Sequence, residues 1–337
     1  MRALRLVVVG LVAGAGLVAC GGGDEAEETG TTAGAVTVYS GRNEALIRPI
    51  LDRFTTETGI KVDTRFAGSA ELAAALLEEG DQARADVFLS QDSGALGAVS
   101  KAGALKELPG AQLDKVDERF RADNGTWVGL SGRSRVIVHD PAKVPAAELP
   151  DSVFDLTDEK WKGRVAYAPT NASFQAFITG MRVLEGDDRA EQWLRDFLAN
   201  EPKAYENNIA ILDAVDAGQI DIGLANHYYA LEKKAENPAF KATNHFLDGD
   251  DPGALINVAG VGVLDPTPEA NRLVEYLLSP TAQQYFAEQT FEYPLIDGVA
   301  PPAGLPPLEE LDSPDVDLSR LDDLETTLKL LDEVGAT

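Results

Sequence analysis

Four consecutive residues, Asn226-His227-Tyr228-Tyr229, carry the side chains best suited to chemistry in this sequence. They follow a short apolar run, Ile220 to Ala225, and precede a charged helical pattern, Ala230-Leu231-Glu232-Lys233-Lys234. In mid-strand, two adjacent tyrosines point to opposite faces. At the first turn of a helix they lie about 100° apart and can face one cleft together. Phenolate oxygens are hard anionic ligands, and a trivalent metal such as Fe(III) can displace the proton of a group whose free pKa is about 10. Taken alone, the pair also fits ordinary packing or a hydrogen-bonded rim.

Other chemistries find little support. The single cysteine, Cys20, closes an apolar leader, and the three histidines are His139, His227 and His245. No Gly-x-Ser-x-Gly elbow, Walker loop or His-Glu-x-x-His is present. His139 follows a strand and reads as structural, His245 falls in a loop with no evident partner, and His227 beside the tyrosines reads either as structural or as a rim residue. Acidic residues number 56, too many for spacing to single out a catalytic pair. The chain is not expected to be an enzyme. The loop Asn171-Ala172-Ser173, just before a helix predicted from Phe174, is a ready anion site because free amides and the helix dipole point at it. Arg42 and Arg133 fall at predicted strand ends, each beside a glycine. There a guanidinium serves either as a bidentate oxyanion clamp or as a surface salt bridge.

The elements that must position these groups follow from periodicity. Val36 to Tyr39 reads as a strand, Leu46, Ile47, Ile50, Leu51 and Phe54 as a helix face ended by Gly59, and Ile60 to Phe66 as a second strand. A helix over Ala70 to Glu79 and a third strand, Asp86 to Leu89, complete a βαβαβ series, which implies a parallel sheet covered by helices. Ligands bind outside the carboxyl ends of such strands. Two further strands are expected at 127–130 and 135–138, separated by Ser131-Gly132-Arg133-Ser134. A second α/β series starts near Trp161, with helices over 174–184, 189–200 and 210–217. A β-type run over 255–264 and helices over 268–278 and 280–289 follow. In the tail, Leu318, Leu321, Leu324, Leu328 and Leu331 recur at helical spacing after Asp317, an N-cap type.

The length of 337 residues suggests about two domains. Arg2 and Arg5 followed by the apolar run Leu6 to Val18 form a secretory leader, too short to read as a spanning helix. Leu17-Val18-Ala19-Cys20 resembles the bacterial lipobox, which implies cleavage after residue 19, lipidation of Cys20 and an extracytoplasmic protein anchored to the cell membrane. Residues 20–35 read as a flexible tether. No disulfide framework is available once the one cysteine is committed. A formal net charge of -27 argues against nucleic acid as a partner and reads as a solvated acidic surface.

The motifs, taken in order, resemble one family. Val38-Tyr39-Ser40-Gly41-Arg42, Ala85-Asp86-Val87-Phe88, Leu130 to Val136, Trp161-Lys162-Gly163, Asn226-His227-Tyr228-Tyr229, Asp251-Pro252-Gly253-Ala254 and Glu292-Tyr293-Pro294-Leu295 are similar to those of the ferric-ion-binding proteins of bacterial ABC importers, within the periplasmic-binding-protein superfamily. The resemblance implies a two-lobed α/β fold with a ligand cleft between lobes joined by crossing strands. The lobes are expected over residues 36–133 plus 259–305 and 134–258 plus 306–337. It further implies that Tyr228 and Tyr229 bind Fe(III) as transported ligand, that a synergistic carbonate or phosphate contacts Asn171, Ala172, Ser173, Asn208 and Asn226, and that a monomer delivers its cargo to an ABC permease.

The sequence departs from the family where the first lobe usually adds a histidine and a glutamate. Asn43 and Gln91 stand there, and the histidine–tyrosine pair of another branch is replaced by Asn43-Glu44. The expectation is a site held mainly by the two tyrosines, with anion or water completing it. Arg42 or Arg133 then balances charge, and Glu44 or Asp92 is an additional first-lobe oxygen donor. The competing reading is a binding protein for an organic or anionic solute of the thiamine, phosphonate or polyamine class, clamped by the same tyrosines.

Overall fold

The computed structural model describes residues 34–337. The leader, Cys20 and most of the tether lie outside the described residues. The first lobe opens with β1 (Ala35–Ser40), α1 (Glu44–Thr58), β2 (Lys61–Phe66), α2 (Ser69–Glu79), β3 (Val87–Ser90) and α3 (Ser93–Lys101). The α1 helix shows how sequence dictates element. Asn43 caps it by accepting from the Ala45 amide, Ile47, Ile50, Leu51 and Phe54 form its buried face, and Gly59 ends it at a left-handed φ of 74°. β2, β1 and β3 pair in parallel, as the βαβαβ pattern predicts. Loops leading into α1 and α3 therefore leave the same edge of the sheet.

After the short α4 (Gly110–Leu113), the chain enters β4 (Trp127–His139), a strand of 13 buried residues. Two strands and an intervening loop are expected here, and the structure corrects that to one strand with a register shift between Gly129 and Ser131. Its glycines are needed for close approach rather than for a turn. A Cβ on Gly129 would sit 2.7 Å from a Leu295 methyl and 2.8 Å from the Phe120 carbonyl oxygen. Arg133 accordingly lies in mid-strand, not at a strand end. The first part of β4 pairs with β9 (Ile256–Val263), and residues 135–139 pair with β7 (Ile222–Asn226) of the second lobe. β4 is thus the strand that crosses between lobes.

The second lobe comprises β5 (Val165–Tyr167), α5 (Ala172–Glu185), α6 (Asp187–Ala199), β6 (Lys203–Ala204), α7 (Asn208–Asp216), β7, α8 (Tyr228–Glu236) and β8 (Thr243–His245). The order across the whole sheet is β2-β1-β3-β9-β4-β7-β5-β6. β5, β6 and β7 run parallel, so α5, α7 and α8, which follow them, all begin at one edge. Both faces of this half are covered: Ile137 joins the core built on Trp161, Phe174, Trp193 and Phe197, while Val136 and Val138 join the core against Ile211 and Leu212. His245 belongs to β8 and bonds the Pro150 carbonyl at 2.9 Å, so the partner that sequence could not supply comes from a distant loop.

β9 returns the chain to the first lobe, followed by α9 (Pro268–Leu277), α10 (Pro280–Gln289) and β10 (Tyr293–Pro294), which pairs with β4. The leucine stripe of the tail is not one helix. Asp317 caps a 3₁₀ segment, Leu318–Asp322, and Asp323 caps a new helix, α11 (Leu324–Glu333). Leu318 and Leu321 pack into the first hydrophobic core and Leu330 and Leu331 into the second, whereas Leu328 is 42% exposed.

Gly129→Ala tests the close approach at the crossing strand. Because a backbone carbonyl cannot yield as a side chain would, the variant is expected to lose about 1–3 kcal/mol of unfolding free energy in a urea titration.

Candidate functional site

The strand edges described above open onto a cavity of about 420 Å³. Arg42, Asn43, Gln91, Asp92, Arg133, Asn171, Ala172, Ser173, Asn226, Tyr228 and Tyr229 all line it. Of the expected metal and anion contacts within the described range, Glu44 and Asn208 do not. Glu44 is exposed on α1 and pairs with Arg48 at 2.6 Å, one turn away, so it is not an additional cleft donor. Asn208 lies behind the wall, where its amide donates to Asn171 Oδ1 and Ser173 Oγ, each at 3.2 Å.

The tyrosines occupy the first turn of α8, as the spacing predicts. Their ring centroids are 4.3 Å apart with planes at 42°. Tyr228 is 4% exposed and its hydroxyl accepts from Asn226 Nδ2 at 3.4 Å. Burial, with a smaller push from Tyr229, holds its phenol protonated well above the usual tyrosine range, against the pull of Arg133. Among the described residues, no three His, Cys, Asp or Glu side chains converge as a metal site.

Of the two readings open to His227, the structure shows the structural one. It is fully buried, its Nδ1 accepts from the Ser134 amide at 3.2 Å, and its Nε2 therefore carries the proton that it donates to the Phe291 carbonyl at 2.9 Å. Burial lowers its pKa to about 4, so it is a neutral tie between the start of α8 and the segment before β10.

The arginines divide differently from expectation. Arg42 is buried against Glu292, with Nη1 to Oε1 at 3.0 Å and Nη2 to Oε2 at 2.5 Å. Against the cost of burial, Arg42 holds the Glu292 carboxyl below its ordinary range. Its charge is already paired, so Arg42 is not a free anion clamp. Arg133 donates to the Gln91 carbonyl across the cleft floor. Arg135, which sequence reading passed over, lies two residues on and hence on the same strand face. Its Nη1 donates to Ser173 Oγ and Asn226 Oδ1, each at 3.2 Å, while its Nε has no partner. Burial, and then the neighbouring Arg133, lower its pKa to about 9. Period-two spacing from Arg133 was the signal that could have found it.

First-lobe candidates are largely engaged in local structure. Asn43 and Asp92 cap α1 and α3 through their side-chain oxygens, and the Gln91 amide bonds Ser69 Oγ at 2.9 Å. Asn171 likewise caps α5. Glu232, another residue missed from sequence, lines the cavity one turn beyond Tyr228. Burial, followed by repulsion from Glu292 and Glu236, raises its pKa to about 7.

Comparisons with known proteins agree with this geometry. Residues 83–316 match the family described as bacterial extracellular solute-binding protein. The chain is 34% identical over 307 residues to the Fe(3+)-binding periplasmic protein of Serratia marcescens, covering 89% of this chain and 90% of that one. Its structure is similar to that of iron-bound HitA from Pseudomonas aeruginosa, with a TM-score of 0.84 and 33% identity over 89% of this chain and 99% of the other. It is also similar to the Trichodesmium protein IdiA (FutA) in complex with iron and citrate, with a TM-score of 0.78 and 32% identity over 90% and 100% of the two chains.

Three variants test the electrostatics. Arg42→Ala strands the Glu292 carboxylate in the interior and is expected to cost about 3–5 kcal/mol in chemical unfolding, most of it recovered in Arg42→Met/Glu292→Leu. Glu232 has a folded pKa above that of the unfolded chain, so its ionisation costs stability as pH rises through that interval. Glu232→Gln should therefore raise the Tm relative to the parent at about pH 8 and leave it unchanged at about pH 4.

Proposed function

This chain belongs to the bacterial extracellular solute-binding protein family, whose members are transport components rather than enzymes, and we propose that it captures Fe(III) outside the cytoplasmic membrane and delivers it to an ABC permease. The observation that carries this reading is the placement of Tyr228 and Tyr229 side by side in one cavity, at a helix start. Fe(III) entering between the lobes displaces both phenolic protons, and the positive end of α8 favours the phenolates so formed. A synergistic carbonate or phosphate occupies the wall built by Asn171, Ala172 and Ser173, with Asn226 beside it and Asn208 bracing the loop from behind. Two phenolates and a dianionic carbonate exceed the three charges of the metal by one. Arg133 and Arg135 offset that excess, since Arg42 is committed to Glu292.

Closure of the lobes about the crossing strand buries metal and anion together, as hinge closure does in other two-lobed binding proteins. With Asn43 and Asp92 serving as helix caps, Gln91 and Asp92 border the iron without supplying a dedicated anionic ligand, and small exogenous donors complete the coordination. Lipidation at Cys20 would keep the monomeric protein at the membrane, beside its permease.

Titration of the mature protein with chelated Fe(III), with and without bicarbonate, tests this reading. Expected is a visible phenolate-to-iron charge-transfer band that saturates at equimolar iron, strengthens with bicarbonate, and disappears in Tyr228→Phe/Tyr229→Phe. A saturated protein without the band would return the tyrosines to the role of an aromatic clamp for an organic solute.

A further inference from the structure

A separate chamber of about 20 Å³ adjoins the tyrosine cavity, with room for one water-sized or halide-sized guest. Arg133, Ser173 and Asn226 border both spaces, whereas Arg135, Phe177, Leu255 and Asn257 border the chamber and not the cavity. Most of the Arg135 guanidinium is fixed by the protein. Its Nη1 donates to Ser173 and Asn226, its Nη2 donates to the Leu224 carbonyl at 3.3 Å, and its Cζ lies 5.9 Å from the ring centres of Phe174 and Phe177. The Nε group is buried and has no partner. Asn257 Oδ1 accepts from the Ser93 hydroxyl at 2.9 Å and the Val258 amide at 2.7 Å, which leaves the Asn257 side-chain amide as a further donor. The side-chain oxygens that line the chamber are thus already engaged, and no carboxylate of the described residues lines it.

We propose that this chamber is a binding site for a single halide ion, chloride above all, seated between Arg133 and Arg135 and separate from the carbonate or phosphate position at the α5 turn. Its size admits a monatomic ion and excludes a polyatomic oxyanion. A buried guanidinium needs a counter-charge or full replacement of its hydration, and Arg135 has neither. Arg133 and Arg135 together face a ferric site whose proposed excess is a single negative charge, so one positive charge is still unmatched and a monovalent anion balances it. Burial and Arg133 lower the pKa of Arg135 to about 9, and an anion against Nε opposes that shift. A water in the same place has two protons to donate where the lining oxygens are already bonded, whereas a halide only accepts. Phe177 and Leu255 keep the chamber apolar on its other sides, which strengthens the attraction. Because Arg135 also holds Ser173 and Asn226, the ion steadies the floor beneath the tyrosine cavity. The chamber and its unpartnered Nε do not depend on what the tyrosines bind.

Thermal unfolding of the iron-free mature protein in sodium gluconate, with chloride substituted at constant ionic strength, tests the proposal. Gluconate is too large for the chamber. Chloride should raise the Tm by about 2 °C or more at roughly ten times its Kd. Arg135→Met should lose that response. Asn257→Asp keeps the Oδ1 acceptor for Ser93 and Val258 and sets a carboxylate beside the two arginines. It should lose the chloride response as well and, in gluconate alone, unfold at a higher temperature than the parent. Crystals grown in bromide should show an anomalous peak between Arg133 and Arg135. Equal Tm values for the parent in gluconate and chloride would overturn the proposal and leave water in the chamber. So would a chloride response that survives in Asn257→Asp, or a bromide peak confined to the wall of Asn171, Ala172 and Ser173. Iron is absent from every arm, so these outcomes are distinct from any failure of the Fe(III) reading.

Discussion

Three guanidinium groups, those of Arg42, Arg133 and Arg135, are buried, the first two at the tyrosine cavity, and of these three only Arg42 meets a carboxylate. Removing a cation from water costs several kcal/mol unless the protein replaces its hydration. The structure meets that demand with oxygens drawn from both lobes. Glu292 and Ser131 receive Arg42, the Gln91 carbonyl receives Arg133, and Ser173, Asn226 and the Leu224 carbonyl receive Arg135. The same bonds that solvate the charges therefore tie the crossing strand to the first-lobe loop, the α5 turn and the strand leading to the tyrosines. What remains is a local surplus of positive charge on the crossing strand in a protein of net charge -27.

Geometry reinforces that surplus. Since β5, β6 and β7 are parallel, α5, α7 and α8 present their amino ends towards one region, and each contributes unsatisfied amides and a positive dipole end. The first lobe is different in kind. Its loops from β1 and β3 reach the same cavity, but their polar side chains are used as caps for α1 and α3. The two walls are consequently unequal: one carries the two phenols and Glu232, and the other a single carboxylate, Asp92, whose Oδ1 caps α3. His227 links them without taking part in charge chemistry, since both ring nitrogens are bonded to backbone and burial keeps the ring neutral.

Much of this was legible in the sequence because it depends on local rules. The α1 face and its Gly59 stop, the parallel series of the first lobe, and the position of Tyr228 and Tyr229 at a helix start all follow from periodicity and stop signals within a few residues. Where local signals conflict with packing, they mislead. Gly132 read as part of a loop between two strands, yet it lies with Gly129 in one continuous strand pressed against Leu295. The evenly spaced leucines of the tail read as one helix, yet two aspartate caps divide it and its halves enter different cores.

By itself, then, the sequence determined which residues form each element, which loops hold polar and aromatic donors, and the family to which the chain belongs. Tertiary structure alone decided which donors are free. That Arg42 is consumed by Glu292, 250 residues away, that Arg135 joins Arg133 as an uncompensated charge, and that Glu232 turns inward beside the tyrosines are outcomes of contacts between distant segments. A side chain's type sets the chemistry it can perform. Its protonation and availability depend on burial and on neighbours that no local pattern specifies.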